Sequence, residues 1–198
     1  VLDALKANDL DENTLVIFTS DNGPPKNTLF ASPGPLRGTK GTTFEGGMRE
    51  PTVICWPGMI PSGGVNDQVM TTMDLLPTFA KLAGSVAPAD RVIDGKDIWP
   101  ALVGKAKSPH EAFFYHSGDR LEAVRSGKWK LRFAGRSAPA LYDLQKDISE
   151  SRNVLEAHPD VAARLQTYAE EFQQGLAENS RPAAFVSNPT ALSIETSR

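Results

Sequence analysis

Two dense apolar runs dominate the first half of the chain: "LVIF" at 15–18 and "TVIC" at 52–55, neither broken by polar alternation. Branched and aromatic residues favour a pleated backbone, and an uninterrupted run suits a strand buried on both faces. Gly23, Pro24 and Pro25 stop the first run, and Pro57 and Gly58 stop the second, because proline removes a ladder donor and fixes φ. The opening "VLDALKANDLDEN" reads as the last turns of a helix entering a loop. Residues 71–84, "TTMDLLPTFAKLAG", predict a helix with Leu75, Leu76, Phe79 and Leu82 on one face, Pro77 in its first turn and Gly84 past its end. A shorter helix is expected in "DIWPALVG" at 97–104.

From Glu111 the pattern becomes one of short runs between turn residues: "AFFYHS", "LEAVRSG", "KWKLRF" and "ALYDL". This spacing predicts an antiparallel meander. In "KWKLRF" the alternation is complete, with Lys128, Lys130 and Arg132 on one face and Trp129, Leu131 and Phe133 on the other. The basic row is expected to be a solvated sheet face; anion binding is the alternative reading. A helix from Pro159 to about Ala177 carries Val161, Leu165, Tyr168 and Phe172 on the side that would cover the sheet.

The pattern thus predicts the end of an α/β domain followed by a small α+β unit, divided as 1–107, 108–178 and an irregular tail at 179–198. Two apolar strands cannot complete the covered sheet that such runs require. The chain also opens on Val1 rather than Met. It is therefore expected to be a piece of something larger, with an apolar sheet edge that favours self-association.

Composition narrows the functional classes. The 198 residues are 40% hydrophobic with a net charge of −3, which gives no electrostatic case for a nucleic-acid or membrane partner. No apolar run approaches transmembrane length. A single cysteine, Cys55, excludes an internal disulfide framework and a cysteine-rich zinc site. In "VICWPG" it reads as a buried strand thiol.

Candidate chemistry begins where the first strand ends. "SDNG" presents Asp21 and Asn22 side by side in a turn, and in open α/β sheets ligands sit beyond the carboxyl ends of the strands. An Asx-rich turn is the plainer reading. The stretch from Pro24 to Glu50 is long and rich in glycine and proline, a length of irregular chain that is commonly functional or disordered. Within it Lys40 sits among glycines 38, 41, 46 and 47, which let a loop close around a small anion. Otherwise Lys40 is a solvated loop cation. Glu45 and Arg49 are expected to tie the loop to the body through ion pairs. His116 is expected to be structural, since a lone histidine on a strand has no identified partner.

"TSDNGP", "PLRGTKGTTFEGGMREP", "DLLPTFAKLAG", "AVRSGKWKL" and "LYDL", in this order, resemble the C-terminal half of the arylsulfatase-type sulfatases in the alkaline-phosphatase superfamily. The resemblance runs to about residue 175. It implies the end of an alkaline-phosphatase-like α/β domain, then a small antiparallel sheet with a C-terminal helix. The implied activity is calcium-dependent hydrolysis of a sulfate ester on a sulfated small molecule or saccharide. By the same resemblance Asp21 and Asn22 are metal ligands, and Lys40 is a catalytic residue that contacts the substrate sulfate. The formylglycine nucleophile and the remaining Ca2+ ligands are expected outside this chain, and the isolated chain is expected to be inactive. The family's habit implies a periplasmic or secreted setting. Two departures stand out: no histidine follows the "DNG" turn, and Ile148 replaces the usual proline in "LQKDISESRN". A phosphodiesterase or phosphonate hydrolase on the same fold is the nearest rival reading, and a non-catalytic truncated module is the other.

Overall fold

The computed structural model describes residues 1–180 except Thr28, Ala134, Arg136 and Ser137. Helix α1 (Leu2–Ala7) and a 3₁₀ turn (Asp11–Asn13) lead into strand β1 (Val16–Thr19). The loop beyond it carries one helical turn, α2 (Glu45–Met48), and ends in β2 (Thr52–Cys55). A 3₁₀ turn (Thr72–Asp74), α3 (Leu75–Leu82) and α4 (Trp99–Leu102) follow. Then come β3 (Phe113–Ser117), β4 (Arg120–Ser126), β5 (Trp129–Arg132), β6 (Ala140–Asp143) and the long helix α5 (Pro159–Asn179). Beyond Ser180, the irregular tail expected from the sequence lies outside the described residues.

The meander forms as its spacing predicts. Strands β3-β4-β5-β6 pair antiparallel in chain order, with Val124 opposite Leu131 and Leu131 opposite Leu141. A bulge between Tyr115 and His116 shifts the β3–β4 register. One face is closed by α5. Val161, Leu165 and Ala169 bury against Leu121, Val124, Leu131 and Leu141, while Phe172 stacks on Phe114 at 4.0 Å. His116 packs beside the Phe172 ring at 5.6 Å, a packing role rather than a chemical one. This is the main core of the described chain.

The two apolar strands behave differently from their pattern. Strands β1 and β2 pair with each other, antiparallel, Phe18 opposite Val53. Phe18 is 77% exposed and Val53 65%, and Cys55 is only half-buried. Two strands supply one ladder, and no layer among the described residues lies over their outer faces. Helix α3 shows the same inversion. Leu76 and Phe79 are exposed, and Asp74 and Thr78 are the buried positions. The reason is hydrogen bonding. Asp74 accepts from the backbone N–H of Thr71 (2.7 Å) and of Lys96 (2.8 Å) and pairs with His110 Nε2 at 2.8 Å, while Thr78 Oγ1 accepts the Ile98 N–H at 3.0 Å. Trp56 links β2 outward by an edge contact to Trp99 on α4 and by donating to the Glu12 carbonyl.

The α5 seam carries most of the apolar burial. Leu165→Ala is expected to cost about 2–5 kcal/mol, the range for emptying a buried leucine site, read as a fall in the urea midpoint with an unchanged slope.

A candidate active-site half built on two glycine-packed loops

Ser20, Asp21 and Asn22 leave the carboxyl end of β1, with Asp21 exposed and Asn22 half-buried. The Ser20 hydroxyl donates to the Asn22 carbonyl at 2.9 Å and holds the turn. Gly23 then passes directly over the Gly46–Gly47 backbone. A Cβ on Gly23 would lie 2.0 Å from the Gly46 oxygen and 2.9 Å from Gly47 Cα. The two peptides meet at a distance that no side chain permits, and only glycine allows the approach. The Gly23 N–H points to the Gly47 carbonyl at 3.4 Å.

Lys40 reaches the same place along another path. Its N–H donates to the Pro24 carbonyl at 3.0 Å, which docks its loop on the turn that carries Asp21 and Asn22. Gly38 and Gly41 flank it at φ of +88° and +83°, and the Thr39–Thr42 turn closes through Thr42 N–H to Thr39 O at 3.0 Å and Thr42 Oγ1 to Thr39 O at 2.7 Å. The Lys40 side chain is exposed. A concavity of about 600 Å³ borders this loop, lined by Pro24, Pro25, Asn27, Leu29, Phe30 and Thr39 among others. All three residues singled out from the sequence thus gather on two loops that touch through backbone.

The loop is fixed from below by residues that sequence reasoning did not connect. Glu45 is fully buried. Its Oε1 accepts from Lys130 Nζ at 2.8 Å and from the Tyr115 hydroxyl at 2.8 Å, and its Oε2 accepts from Arg125 at 2.9 Å. Lys130 Nζ also lies 2.9 Å from Glu150 Oε1, and Glu150 Oε2 accepts the Glu45 N–H at 2.7 Å. Lys130 is 0% exposed, so the basic row of β5 is not the solvated face its alternation suggests. Arg132 donates to Thr43 Oγ1 at 2.9 Å, Thr43 donates to Glu122 at 2.6 Å, and Lys128 pairs with Asp143 at 2.9 Å. The expectation that Glu45 anchors the loop matches this geometry. Arg49 makes only a looser, exposed pair with Asp67 at 3.4 Å.

Burial alone would push the Glu45 carboxyl up, but the Lys130 ammonium and the Arg125 guanidinium outweigh it and hold the group below its ordinary value. The Tyr115 phenol moves the other way, well up, through burial and the adjacent Glu45 anion. Nearer the turn, burial raises the Glu50 carboxyl and the Asp21 charge adds to it, which places these two acids within electrostatic reach. The Glu50 Oε1 atom is buried with no hydrogen-bond partner among the described residues. Among those residues no cluster of three or more His, Cys, Asp or Glu side chains stands ready to hold a metal. Glu50 had no signal in the sequence beyond its acidic type. Glu150 had one, an acid in a serine-rich turn, but nothing local marks its partner.

Comparison with known proteins agrees with the motif order. Residues 1–85 match the sulfatase family model. The arylsulfatase of Hemicentrotus pulcherrimus is 41% identical over 137 residues, 67% of this chain and 24% of that protein. The N-acetylgalactosamine-6-sulfatase of Canis lupus familiaris is 45% identical over 139 residues, 67% of this chain and 26% of its own length. The crystal structure of the PsFucS1 sulfatase from Pseudoalteromonas sp. superposes with a TM-score of 0.83 at 28% identity, covering 90% of this chain and 40% of that one. The fold is accordingly of the alkaline-phosphatase-like α/β class. Within that class, the chain belongs to the sulfatase family. It spans about a quarter of the length of these curated relatives.

The Glu45 site makes a signed prediction for acid stability. Its folded-state value is depressed, so its contribution is full above the unfolded carboxyl value and is lost as pH falls through the folded one. Glu45→Gln should be less stable than the parent at pH 7, and the gap should shrink as pH falls from about 5 to 3. Urea midpoints across that range give the test; a gap that widens on acidification contradicts the assignment.

Proposed function

We propose that this chain supplies one half of the active site of a calcium-dependent sulfuric ester hydrolase. The observation that carries the reading is the backbone docking of the Lys40 loop onto the Asp21–Gly23 turn, through the Lys40 N–H to Pro24 O bond and the Gly23–Gly46 contact. It sets the loop that carries Lys40 against the turn that carries Asp21 and Asn22, at the strand end where ligands meet open α/β sheets.

Asp21 and Asn22 would hold the calcium ion. Calcium is a hard cation that prefers oxygen, so a carboxylate and an amide carbonyl suit it. The buried, unpartnered Glu50 oxygen, whose carboxyl feels the Asp21 charge, supports a cation in this region, because such an atom lacks the partner that burial demands. Two residues fall short of the six to eight oxygens that calcium takes. The remaining ligands, and the formylglycine nucleophile, would come from polypeptide outside these 198 residues. When bound, calcium supplies positive charge to the sulfate oxygens.

Lys40 acts on the ester directly. As the S–O bond breaks, charge grows on the sulfate oxygens, and a fixed ammonium stabilises it. The Thr39–Thr42 turn and the Lys40 N–H to Pro24 O bond fix the backbone from which that side chain reaches out. The substrate is a sulfated small molecule or saccharide, and the concavity beside Thr39 is where its organic part would lie. No helix among the described residues is long and apolar enough to cross a membrane. A periplasmic or secreted setting is proposed from the habit of the family.

Two measurements test this reading. The isolated chain should show no turnover of an aryl sulfate with or without calcium; turnover that survives Cys55→Ala would place the nucleophile within this chain. In the full-length sulfatase carrying the segment, Lys40→Ala should lower kcat by roughly 10²- to 10³-fold, the loss typical of one preorganised charge donor. Lys40→Arg should rescue little, since a planar fork does not replace a compact ammonium. Lys26→Ala, a change at an exposed loop cation, should be near neutral. A kcat for Lys40→Ala within about twofold of the parent, far short of that donor range, would make Lys40 a solvated loop residue.

A further inference from the structure

We infer that the four-stranded sheet is the positioning base of the active-site half: Tyr115, Arg125 and Lys130 act through Glu45 to set where Lys40 stands relative to Asp21 and Asn22. The inference rests on the proposed sulfate contact of Lys40 and adds residues that touch neither sulfate nor metal.

The geometry is a triangulation. Tyr115 lies on β3, Arg125 on β4 and Lys130 on β5, and all three donate to the one Glu45 carboxylate at 2.8 to 2.9 Å. A buried carboxylate fed by donors from three adjacent strands can neither rotate nor slide without leaving a charge unpaired, an expensive outcome in a dry site. Its main chain is held separately, by Glu150 Oε2 on the Glu45 N–H. Apolar packing at the same place would tolerate sliding; directional bonds do not.

Two neighbours repeat the attachment. Thr43 is held by Glu122 and Arg132. Phe44 lies between the Arg37 and Arg132 guanidinium groups, at 4.1 and 4.0 Å from its ring centroid. Thr43, Phe44 and Glu45 are therefore each fastened to the sheet side, and the residues that follow them are Gly46 and Gly47. Both loops pack on those glycines. A Cβ on Gly46 would meet Arg37 O at 2.6 Å and Gly38 O at 2.7 Å, and one on Gly47 would meet Thr39 O at 2.5 Å. The same two peptides carry the Gly23 contact on another side. The site loops touch each other chiefly through a peptide pair whose position the sheet dictates. A shift of the Glu45 anchor moves both loops, and catalysis is sensitive to displacements of about 1 Å, which can lower rates by about 10²-fold.

The test uses Tyr115→Phe, which deletes one of the three donors and keeps the ring, and Lys130→Met, which removes the ammonium. Hydrogen exchange on the 198-residue chain reads the coupling without activity. Peptides covering residues 20–24 and 36–48 should exchange about tenfold faster or more in Tyr115→Phe, while peptides in α5 stay within about twofold, the signature of local rather than global opening. In the full-length sulfatase carrying the segment, the same variant should lower kcat with KM nearly unchanged, by up to about 10²-fold. Lys130→Met should act in the same sense and more strongly. Uniform acceleration that includes α5, or unchanged exchange at 20–24 and 36–48 in Tyr115→Phe, overturns the inference, as does selective loosening with an unchanged kcat. If Lys40→Ala leaves kcat intact while Tyr115→Phe loosens both loops, the sulfate role of Lys40 fails, and with it the catalytic part of the positioning role.

Discussion

A carboxylate shut away from water demands compensation, and in this chain nearly everything of functional interest hangs on how Glu45 obtains it. Burial of an isolated anion is prohibitive, so the group must be met by cations and donors in good geometry or not be buried at all. Glu45 is met by an ammonium, a guanidinium and a phenol from three strands, and Lys130 is shared with a second acid, Glu150. Such clusters contribute little net stability against an apolar replacement, yet removing one member costs several kcal/mol. Their value lies in excluding alternatives. The observed seating of the Thr43–Gly47 segment pairs Glu45 with all three donors, and that seating presents the glycine pair to both site loops.

This arrangement divides labour between the two faces of the meander. The face under α5 is aliphatic and aromatic, built on Leu131, Leu141, Val124 and Leu165, and supplies cohesion. The opposite face is ionic, built on Lys130, Arg132, Arg125 and Tyr115, and supplies location. Glu150 belongs to the second face. Its φ of +49° is uncommon for a residue with a side chain, and its carbonyl, which accepts from Arg37 at 2.7 Å, and its carboxylate both serve the loop. A backbone conformation that is unfavourable in isolation is thus held by the contacts it makes possible.

The parts legible in the sequence are those governed by local periodicity. The meander, the α5 face with Val161 and Leu165, and the turn after β1 follow from spacing and from glycine and proline alone. Three readings went astray for one shared reason. Alternation in "KWKLRF" says that Lys130 and Leu131 face opposite ways, but it cannot say what covers each side, and the cover for Lys130 lies 85 residues earlier. The apolar runs of β1 and β2 and the Leu76–Phe79 face of α3 likewise report a preference for burial, while Phe18, Val53 and Leu76 stand exposed in this chain. Periodicity describes a surface; its partner is non-local. The motif order carries what periodicity does not, namely which loop lysine stands among the glycines at the site. The charge coupling between Glu50 and Asp21 had no sequence signature at all.

The span of the Glu45 cluster also imposes an order on folding. Glu45 and Glu150 are separated by 105 residues, and Lys130 lies on a strand that acquires both its neighbours only once β6 has emerged. On a ribosome adding about 5 to 20 residues each second, the loop waits several seconds or more before its counter-charges exist. During that interval Glu45 lacks the partners that permit its burial, and the Gly46–Gly47 pair has only its local backbone bonds to Arg37, Phe44 and Gly23. A nascent chain halted before β6 would carry Asp21, Asn22 and Lys40 with the local contacts of their loops, but without the bonds that seat Glu45 on the finished sheet.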